Sequence, residues 1–229
     1  FPKDEFIIFS SDSTPNPQTG LKMEGVGWNY KKQWSLDSLG VFDQYGFNYA
    51  FEVRRGGTYS SNGNVLLLGN ILRKTPIHIK KYFHADSAFS NLDNYNTCLN
   101  GNCHFVMALS EVVWRSILCK ENLKWRKTKI EFFESKDCEV SECRYFVEKL
   151  GGGKKSLRVV FIRAKKTNEQ LGLFDGQYRH YAFVTDIEAQ DKLPVRQRQI
   201  YIGKRGAKRS KQAEYKMVPA TLENIINFY

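Results

Sequence analysis

The order of strand and helix patterns in the first half of the chain limits the folds that are open to it. Five runs share an apolar centre and a polar or glycine-rich end, at residues 5–11, 33–42, 47–54, 77–85 and 103–110. Helical patterns follow the third and fourth runs, and the short turn between the second and third predicts an antiparallel pair. We therefore expect an α/β fold, with a mixed sheet and flanking helices.

The charge balance indicates the class of partner. The 229 residues include 35 lysines and arginines against 24 aspartates and glutamates, for a net charge of +11. Such a basic chain favours an anionic partner, and nucleic acid is the commonest one. No apolar run approaches the roughly 18 residues that a membrane helix needs, so we expect no membrane partner. Five cysteines, an odd number, favour a reducing compartment over a disulfide framework.

The second half of the chain has a different pattern. Four β-type runs with turn signals between them occupy residues 111–187, which we interpret as a β-rich insertion that forms a small sheet of its own. Residues 188–218 are strongly basic, and the segment to 229 ends in TLENIINFY, the start of an amphipathic helix. The sequence thus divides into the first part of a core at 1–110, the insertion, and a basic segment with the start of a C-terminal core helix.

Two aspartates each close a strand of the expected sheet. Asp12 follows the first strand and Asp86 follows the fourth. Three strands, helix, strand, helix, strand is the order of a ribonuclease-H-like domain, in which the first and fourth strands are neighbours. The two carboxylates would then meet, which is costly unless a cation neutralises them or one of them binds a proton. Oxygen ligands suit Mg²⁺, although a lone aspartate at a strand end more often caps a helix or forms a turn.

The motifs around these aspartates resemble those of one family. They are SSDST at 10–14, TGLKMEGVGWNYKKQWSLDSLGVFD at 19–43, FEVRRGGTYSSNG at 51–63 and HADSAFSN at 84–91. The chain is similar to the catalytic domain of DDE transposases of bacterial insertion sequences, in particular the thirteen-eighty group. The resemblance covers 6–110 and resumes at YAFVTDI. It implies that Asp12 and Asp86 are the first two catalytic, metal-binding aspartates, and that a β-rich insertion separates the second acid from the third.

The resemblance also implies a reaction, a cofactor and partners. Two Mg²⁺ ions, for which Mn²⁺ could substitute, would assist a water molecule that attacks the phosphodiester at the ends of the element. The freed 3′-hydroxyl would then attack target DNA. The implied partners are transposon ends, target DNA and other copies of the chain in a homo-oligomer, and the implied location is the bacterial cytoplasm, in association with the nucleoid.

The third acid is where the chain departs from the family pattern. Similar transposases carry a helix with Tyr, two residues, Arg, three residues, Glu, six residues and Lys. One register aligns Arg205 and Lys216 but puts Arg209 at the position of the glutamate. A second register makes Tyr229 the tyrosine of the motif and puts the glutamate about two helical turns beyond it, so that this fragment would lack it. We prefer the second register, with Glu214 and Glu223 as further candidates.

Basic and aromatic residues supply candidate DNA contacts. The basic ones lie at predicted strand ends and in the C-terminal segment: Lys22, Lys31, Lys32, Arg54, Arg55, Lys204, Arg205, Lys208 and Arg209. Clustered lysines and arginines release counterions from phosphates, although plain solubility or a solvated loop explains the same pattern. Trp28 and Tyr30, which follow a glycine-rich turn, would either stack on a base or belong to the core.

Other interpretations of these residues stay open. A transposase-derived DNA-binding protein without catalytic activity fits the same motifs, and so does a related ribonuclease-H-like nuclease. Zinc is an alternative for two cysteine pairs, Cys98 with Cys103 and Cys138 with Cys143. Asp37 is expected to be a turn or surface acid.

Overall fold

The structure is a computed structural model that describes residues 5–20, 22–29, 31–130, 135–166, 177–197 and 214–229. Its strands are β1 Phe6–Pro17, β2 Gly27–Trp28, β3 Trp34–Asp43, β4 Asn48–Arg54, β5 Lys80–Ala85, β6 Cys103–Ala108, β7 Arg126–Thr128, β8 Cys138–Leu150, β9 Gly153–Lys165, β10 Tyr178–Thr185, β11 Lys192–Gln197 and β12 Glu214–Pro219. Its helices are α1 Asn64–Lys74, α2 Leu92–Asn100, α3 Glu111–Lys120 and α4 Leu222–Phe228, and a short 3-10 turn spans Ser87–Phe89. Within these ranges, no helix has the length and apolar character needed to cross a membrane.

A ten-stranded sheet organises the chain in the order β2-β3-β1-β5-β6-β10-β9-β8-β7, with β4 beside β3. β1 is antiparallel to β3, and β3 is antiparallel to β4. β1 is parallel to β5, and β5 is parallel to β6. The expected α/β fold with a mixed sheet and flanking helices is confirmed. β1 and β5, which are the first and fourth of the predicted strands, are neighbours.

Apolar side chains project from both faces of the central strands. In β1, Ile7 and Phe9 pack in one core with residues of α1, α2 and α3, whereas Phe6 and Ile8 pack in a second core with residues of α4 and β11. Strands with apolar residues on both sides need cover on both sides. Helices on the two faces of the sheet supply that cover. We name these faces the α1 face and the α4 face.

The β-rich segment extends the large sheet. β10 pairs antiparallel with β6, and β9, β8 and β7 follow in turn. The expectation of a separate small sheet is therefore wrong. The segment joins the large sheet because of β9, in which four consecutive residues are fully buried: Val159, Val160, Phe161 and Ile162. Such a strand needs apolar cover on both faces, and the helices of the large sheet provide it.

Helix α3 lies in the segment that was expected to be β-rich, and the sequence analysis did not predict it. Its sequence, EVVWRSILCK, is dominated by valine, tryptophan and isoleucine, which favour strands when they are read locally. Val113, Trp114, Ile117 and Leu118 nevertheless pack on the α1-face core at the spacing of one helix face. Tertiary packing therefore outweighs local propensity here.

The basic C-terminal segment contains a second, two-stranded sheet. β11 pairs antiparallel with β12, from Lys192 with Pro219 to Gln197 with Glu214. Leu193 is fully buried in the α4-face core, and this packing explains why part of the segment is ordered as strand. Residues 198–213 lie outside the described residues. The amphipathic helix expected at the end of the chain is confirmed as α4.

A buried hydrogen-bond network joins the end of β1 to the helices behind it. Ser11 Oγ donates to Asn64 Oδ1 at 2.6 Å, and Asn64 Nδ2 donates to Asn94 Oδ1 at 2.8 Å. Asn94 Nδ2 in turn donates to the carbonyl of Phe89 at 2.9 Å. Both asparagines are fully buried, so the network fastens α1 and α2 to the point where the parallel pairing of β1 with β5 ends.

We expect Asn64→Ala to lower the free energy of unfolding by about 2–4 kcal/mol, because it leaves Ser11 and Asn94 without their partner in a buried site. Urea denaturation measures this change. Asn70→Ala, in the same helix but only half-buried, should stay within about 0.5 kcal/mol of the parent. Equal effects of the two substitutions would contradict the role of the network.

Candidate metal and nucleic-acid site

Asp12 and Asp86 directly follow the last register pair of the parallel strands β1 and β5. Asp86 comes directly after β5, but β1 continues beside β3 to Pro17, so the expectation that Asp12 closes its strand is wrong. Ser11 of β1 is the register partner of Ala85 of β5, and each aspartate is the next residue. Neighbouring strands run about 4.8 Å apart, so the two aspartates are adjacent at one end of the sheet. Ser11 and Ala85 contact the α1 face, and side chains alternate along a strand, so both aspartates belong to the α4 face. Both are exposed.

Each aspartate also accepts a hydrogen bond from a backbone amide that follows it closely in the sequence. Asp12 Oδ1 accepts a hydrogen bond from the amide of Ser13 at 2.8 Å. Asp86 Oδ1 accepts one from the amide of Ala88 at 2.9 Å and so caps the 3-10 turn. The turn-forming and capping roles are therefore present. Asp12 Oδ2 also accepts a hydrogen bond from Thr14 Oγ1 at 3.4 Å. A carboxylate offers about four lone-pair sites, so these bonds leave capacity for a cation.

Helix α4 runs toward the same end of the sheet. The ring of Phe228 lies 6.0 Å from the rings of Tyr82 and His84 in β5, and the ring of Tyr229 lies 6.1 Å from that of His84. Asp86 is the next residue in this series on the α4 face. Burial and the negative charge of Asp86 raise the pKa of the Tyr229 phenol to about 12. Tyr229 and Asp86 are thus close enough to interact electrostatically.

No third acid joins this pair in the part of the chain that the structure describes. That part holds no group of three or more His, Cys, Asp or Glu side chains able to hold a metal. Glu223 is paired at 2.7 Å with Arg126 of β7, which lies five strands away from β5. Burial alone would raise the pKa of Glu223, but hydrogen bonds from Arg126 and Thr128 outweigh it and lower that pKa. Glu214 begins β12, outside the large sheet.

A buried ion pair lies on the α1 face, behind Asp12. Arg54 Nε donates to Asp37 Oδ2 at 2.8 Å, and Ser13 Oγ donates to Asp37 Oδ1 at 3.1 Å. Asp37 is only 6% exposed, so the expectation of a turn or surface acid is wrong. The sequence did contain a signal. Asp37 shares the period-two position of Leu39 and Val41, both of which are core residues.

Arg54 also fastens the loop that leads into α1. Its Nη1 donates to the carbonyls of Ser60, at 3.2 Å, and Asn62. Its Nη2 donates to Ser13 Oγ at 3.1 Å. A buried guanidinium whose donors are used inside the fold is not presented to a phosphate. We therefore assign Arg54 a structural role in place of the expected DNA contact.

The other candidate DNA contacts fall into two groups. Four are exposed, in the loop and turn on either side of β2 and directly after β4: Lys22, Lys31, Lys32 and Arg55. The remaining four lie outside the described residues: Lys204, Arg205, Lys208 and Arg209. Tyr30 is outside the described residues as well, whereas Trp28 is 65% exposed.

Among the described residues, neither cysteine pair belongs to a group of three or more His, Cys, Asp or Glu side chains able to hold a metal. Cys138 and Cys143 are five positions apart on β8, so they point to opposite faces, and they contact different cores. Cys98 and Cys103 are both buried. Burial is the main cause that raises the pKa of the Cys98 thiol well above its usual value, which disfavours the thiolate that zinc binds.

We expect Arg54→Ala to lower the free energy of unfolding by about 3–5 kcal/mol, because Asp37 is then a buried carboxylate without its partner. The double variant Asp37→Ala/Arg54→Ala should cost clearly less than the sum of the single variants. Urea denaturation of the four proteins measures the cycle, with exposed Arg55→Ala as the matched control. Strict additivity would contradict the coupling.

Comparison with models of protein families and with curated proteins returns no match. A function for the chain is therefore argued from the pairing of Asp12 with Asp86 and from the sequence motifs around them.

Proposed function

We propose that this chain is the catalytic domain of a DNA transposase, which carries out metal-dependent DNA strand cleavage and strand transfer. One observation carries the proposal. Asp12 and Asp86 are far apart in the sequence but directly follow the last register pair of two parallel strands, and strand alternation assigns both to one face of the sheet. Two exposed carboxylates that face solvent side by side form an unfavourable pair unless a cation or a proton relieves the repulsion.

The arrangement of the central strands supports a ribonuclease-H-like fold for the domain. The order β4-β3-β1-β5-β6 combines two antiparallel pairs with two parallel pairs. This is the sheet that the element order of residues 1–110 predicts for such a domain. The β-rich segment and α4 come after β6 in the chain, as the resemblance to DDE transposases implies.

The direction of α4 supports the second register for the third acid. Tyr229 follows α4, and its ring lies 6.1 Å from that of His84, which is two residues before Asp86. In the motif the glutamate follows the tyrosine by about two turns, which keeps both residues on the same side of an α-helix. In a longer protein that continues α4, this position would follow Tyr229 along the α4 face. Glu223 and Glu214 are poorer candidates, because the first is paired with Arg126 and the second lies outside the large sheet.

The donor set suits Mg²⁺, which prefers oxygen ligands and usually keeps several waters. When bound, the cation would neutralise charge on a phosphodiester and stabilise the attacking and leaving oxygens. The contribution of the chain is to fix the two carboxylates. Ser11 is tied to Asn64 directly before Asp12, and Asp86 is held by the amide of Ala88. Preorganised charge of this kind needs no covalent enzyme intermediate.

A second candidate is a DNA-binding protein that derives from a transposase and has lost catalysis. The observation that favours it is that the described residues include only two acids at the site. A related nuclease that cuts without strand transfer is a third. Strand transfer from a pre-cut DNA end separates the transposase from the nuclease, and metal binding separates both from the inactive protein.

We expect Asp12→Asn and Asp86→Asn each to weaken Mn²⁺ binding by at least about tenfold, because each removes one charged ligand. Titration calorimetry of this chain measures the affinity. In a full-length protein that contains the third acid, both variants should abolish cleavage and leave DNA binding unchanged. Asp93→Asn, exposed in the first turn of α2, is the matched control. Undiminished metal binding and cleavage in either variant would remove that residue from the site.

A further inference from the structure

A hairpin between β2 and β3 projects beyond the strands that carry the acids. Trp28 pairs with Trp34, and the turn between them is held by Asn29. The Asn29 side chain accepts hydrogen bonds from the amides of Lys31, at 2.9 Å, and Gln33, at 3.0 Å. This hairpin is therefore a defined structural element.

Its two tryptophans form a fixed aromatic surface on the α4 face. Trp34 has the same parity in β3 as Leu36 and Ser38, opposite to the core residues Leu39 and Val41. The rings of Trp28 and Trp34 meet edge to face at 5.5 Å, and Trp34 Nε1 donates to the carbonyl of Gly20 at 3.3 Å. Trp28 remains 65% exposed, so a large flat side chain is presented to solvent.

Gly56 and Gly57, which follow Arg55, pack closely against this hairpin. The amide of Gly56 donates to the carbonyl of Gly25 at 3.0 Å. A Cβ added to Gly56 would lie 1.8 Å from the carbonyl oxygen of Ser35, so no other residue fits without backbone movement. Exposed Arg55 is thereby fixed next to the hairpin.

The charges around the tryptophans are mainly positive. Four exposed basic residues lie in the loop before β2, in the turn after it and directly after β4: Lys22, Lys31, Lys32 and Arg55. Glu24 is the one acid among residues 18–35. An exposed aromatic ring beside several cations complements a nucleic-acid strand, in which bases stack and phosphates carry the negative charge.

The hairpin lies on the same face as Asp12 and at a useful distance from it. Pro17, five residues after Asp12 in β1, is the register partner of Ser35, which directly follows Trp34. Five residues of strand span about 17 Å. A nucleic acid that lay along this face would cover the same distance with about five nucleotides at B-form spacing.

We propose that the surface formed by Trp28, Lys31, Lys32 and Arg55 binds an unpaired nucleotide of a DNA strand that extends from the acids. The base stacks on Trp28, and the basic side chains contact the flanking phosphates. This inference rests on the proposed function for the identity of the strand as DNA, but not on metal binding or catalysis.

Fluorescence anisotropy of this chain with a short mixed-sequence oligonucleotide, in EDTA, tests the surface. Trp28→Ala should weaken binding of the single strand about tenfold, whereas Trp28→Phe should retain most of it. The duplex of the same sequence should lose less affinity, because its bases are already stacked. Removing both Lys31 and Lys32 should flatten the salt dependence for the single strand by about 1.4 in log–log slope.

Phe146→Ala is the matched control, because Phe146 is an aromatic residue that is 61% exposed on β8, with Lys154 over its ring. The proposal is overturned if Trp28→Ala binds the single strand within about twofold of the parent, or if Phe146→Ala weakens it equally. If Trp28→Ala lowers the affinity for the single strand and for the duplex equally, the claim that Trp28 binds an unpaired base is overturned. A change in self-association without a change in DNA affinity would assign Trp28 to contact between copies of the chain.

The two proposals fail separately. The Trp28 effect is measured in EDTA, where no metal is present, so it does not depend on metal binding by Asp12 and Asp86. Loss of Mn²⁺ binding at the acids with an intact Trp28 effect would remove the catalytic function and leave the DNA surface. Intact Mn²⁺ binding with no effect of Trp28→Ala would remove the DNA surface and leave the catalytic function.

Discussion

The parallel pairing of β1 with β5 is the constraint on which the rest of the structure depends. Its register sets Ser11 opposite Ala85 and so brings Asp12 and Asp86 to one end and one face of the sheet. A shift of one residue in either strand would send one carboxylate to the α1 face, where Ser11 and Asn64 form a buried network. The same shift would move the alternating apolar residues of β1 from one core to the other, so packing also opposes it.

Packing on both faces holds that register. On the α1 face, the buried network that runs through Asn64 ties the ends of both strands to α1 and α2. On the α4 face, the rings of Phe228 and Tyr229 lie about 6 Å from those of Tyr82 and His84 in β5. The acids therefore lie where the parallel ladder between two packed strands ends, an arrangement that suits groups required to hold a ligand in fixed geometry.

The sequence predicted those features that local patterns determine. Short apolar runs and turn residues located β1, β3, β4, β5 and β6, and the order of these elements predicted that Asp12 and Asp86 would be neighbours. Features decided by distant partners were missed. The residues of α3 favour strands locally, and pairing of β10 with β6 depends on contacts far apart in the chain. The role of Asp37 became visible only with its partner Arg54, which the fold brings from the adjacent strand.

The central claim is that two carboxylates remote in sequence jointly hold a divalent cation. A crystal structure of this chain grown with Mn²⁺, with the metal located by its anomalous scattering, tests it most directly. The account predicts a manganese peak within about 2.2 Å of a carboxylate oxygen of both Asp12 and Asp86. A manganese peak bound elsewhere would contradict it. So would carboxylates more than about 10 Å apart, because neighbouring strands run only about 4.8 Å apart.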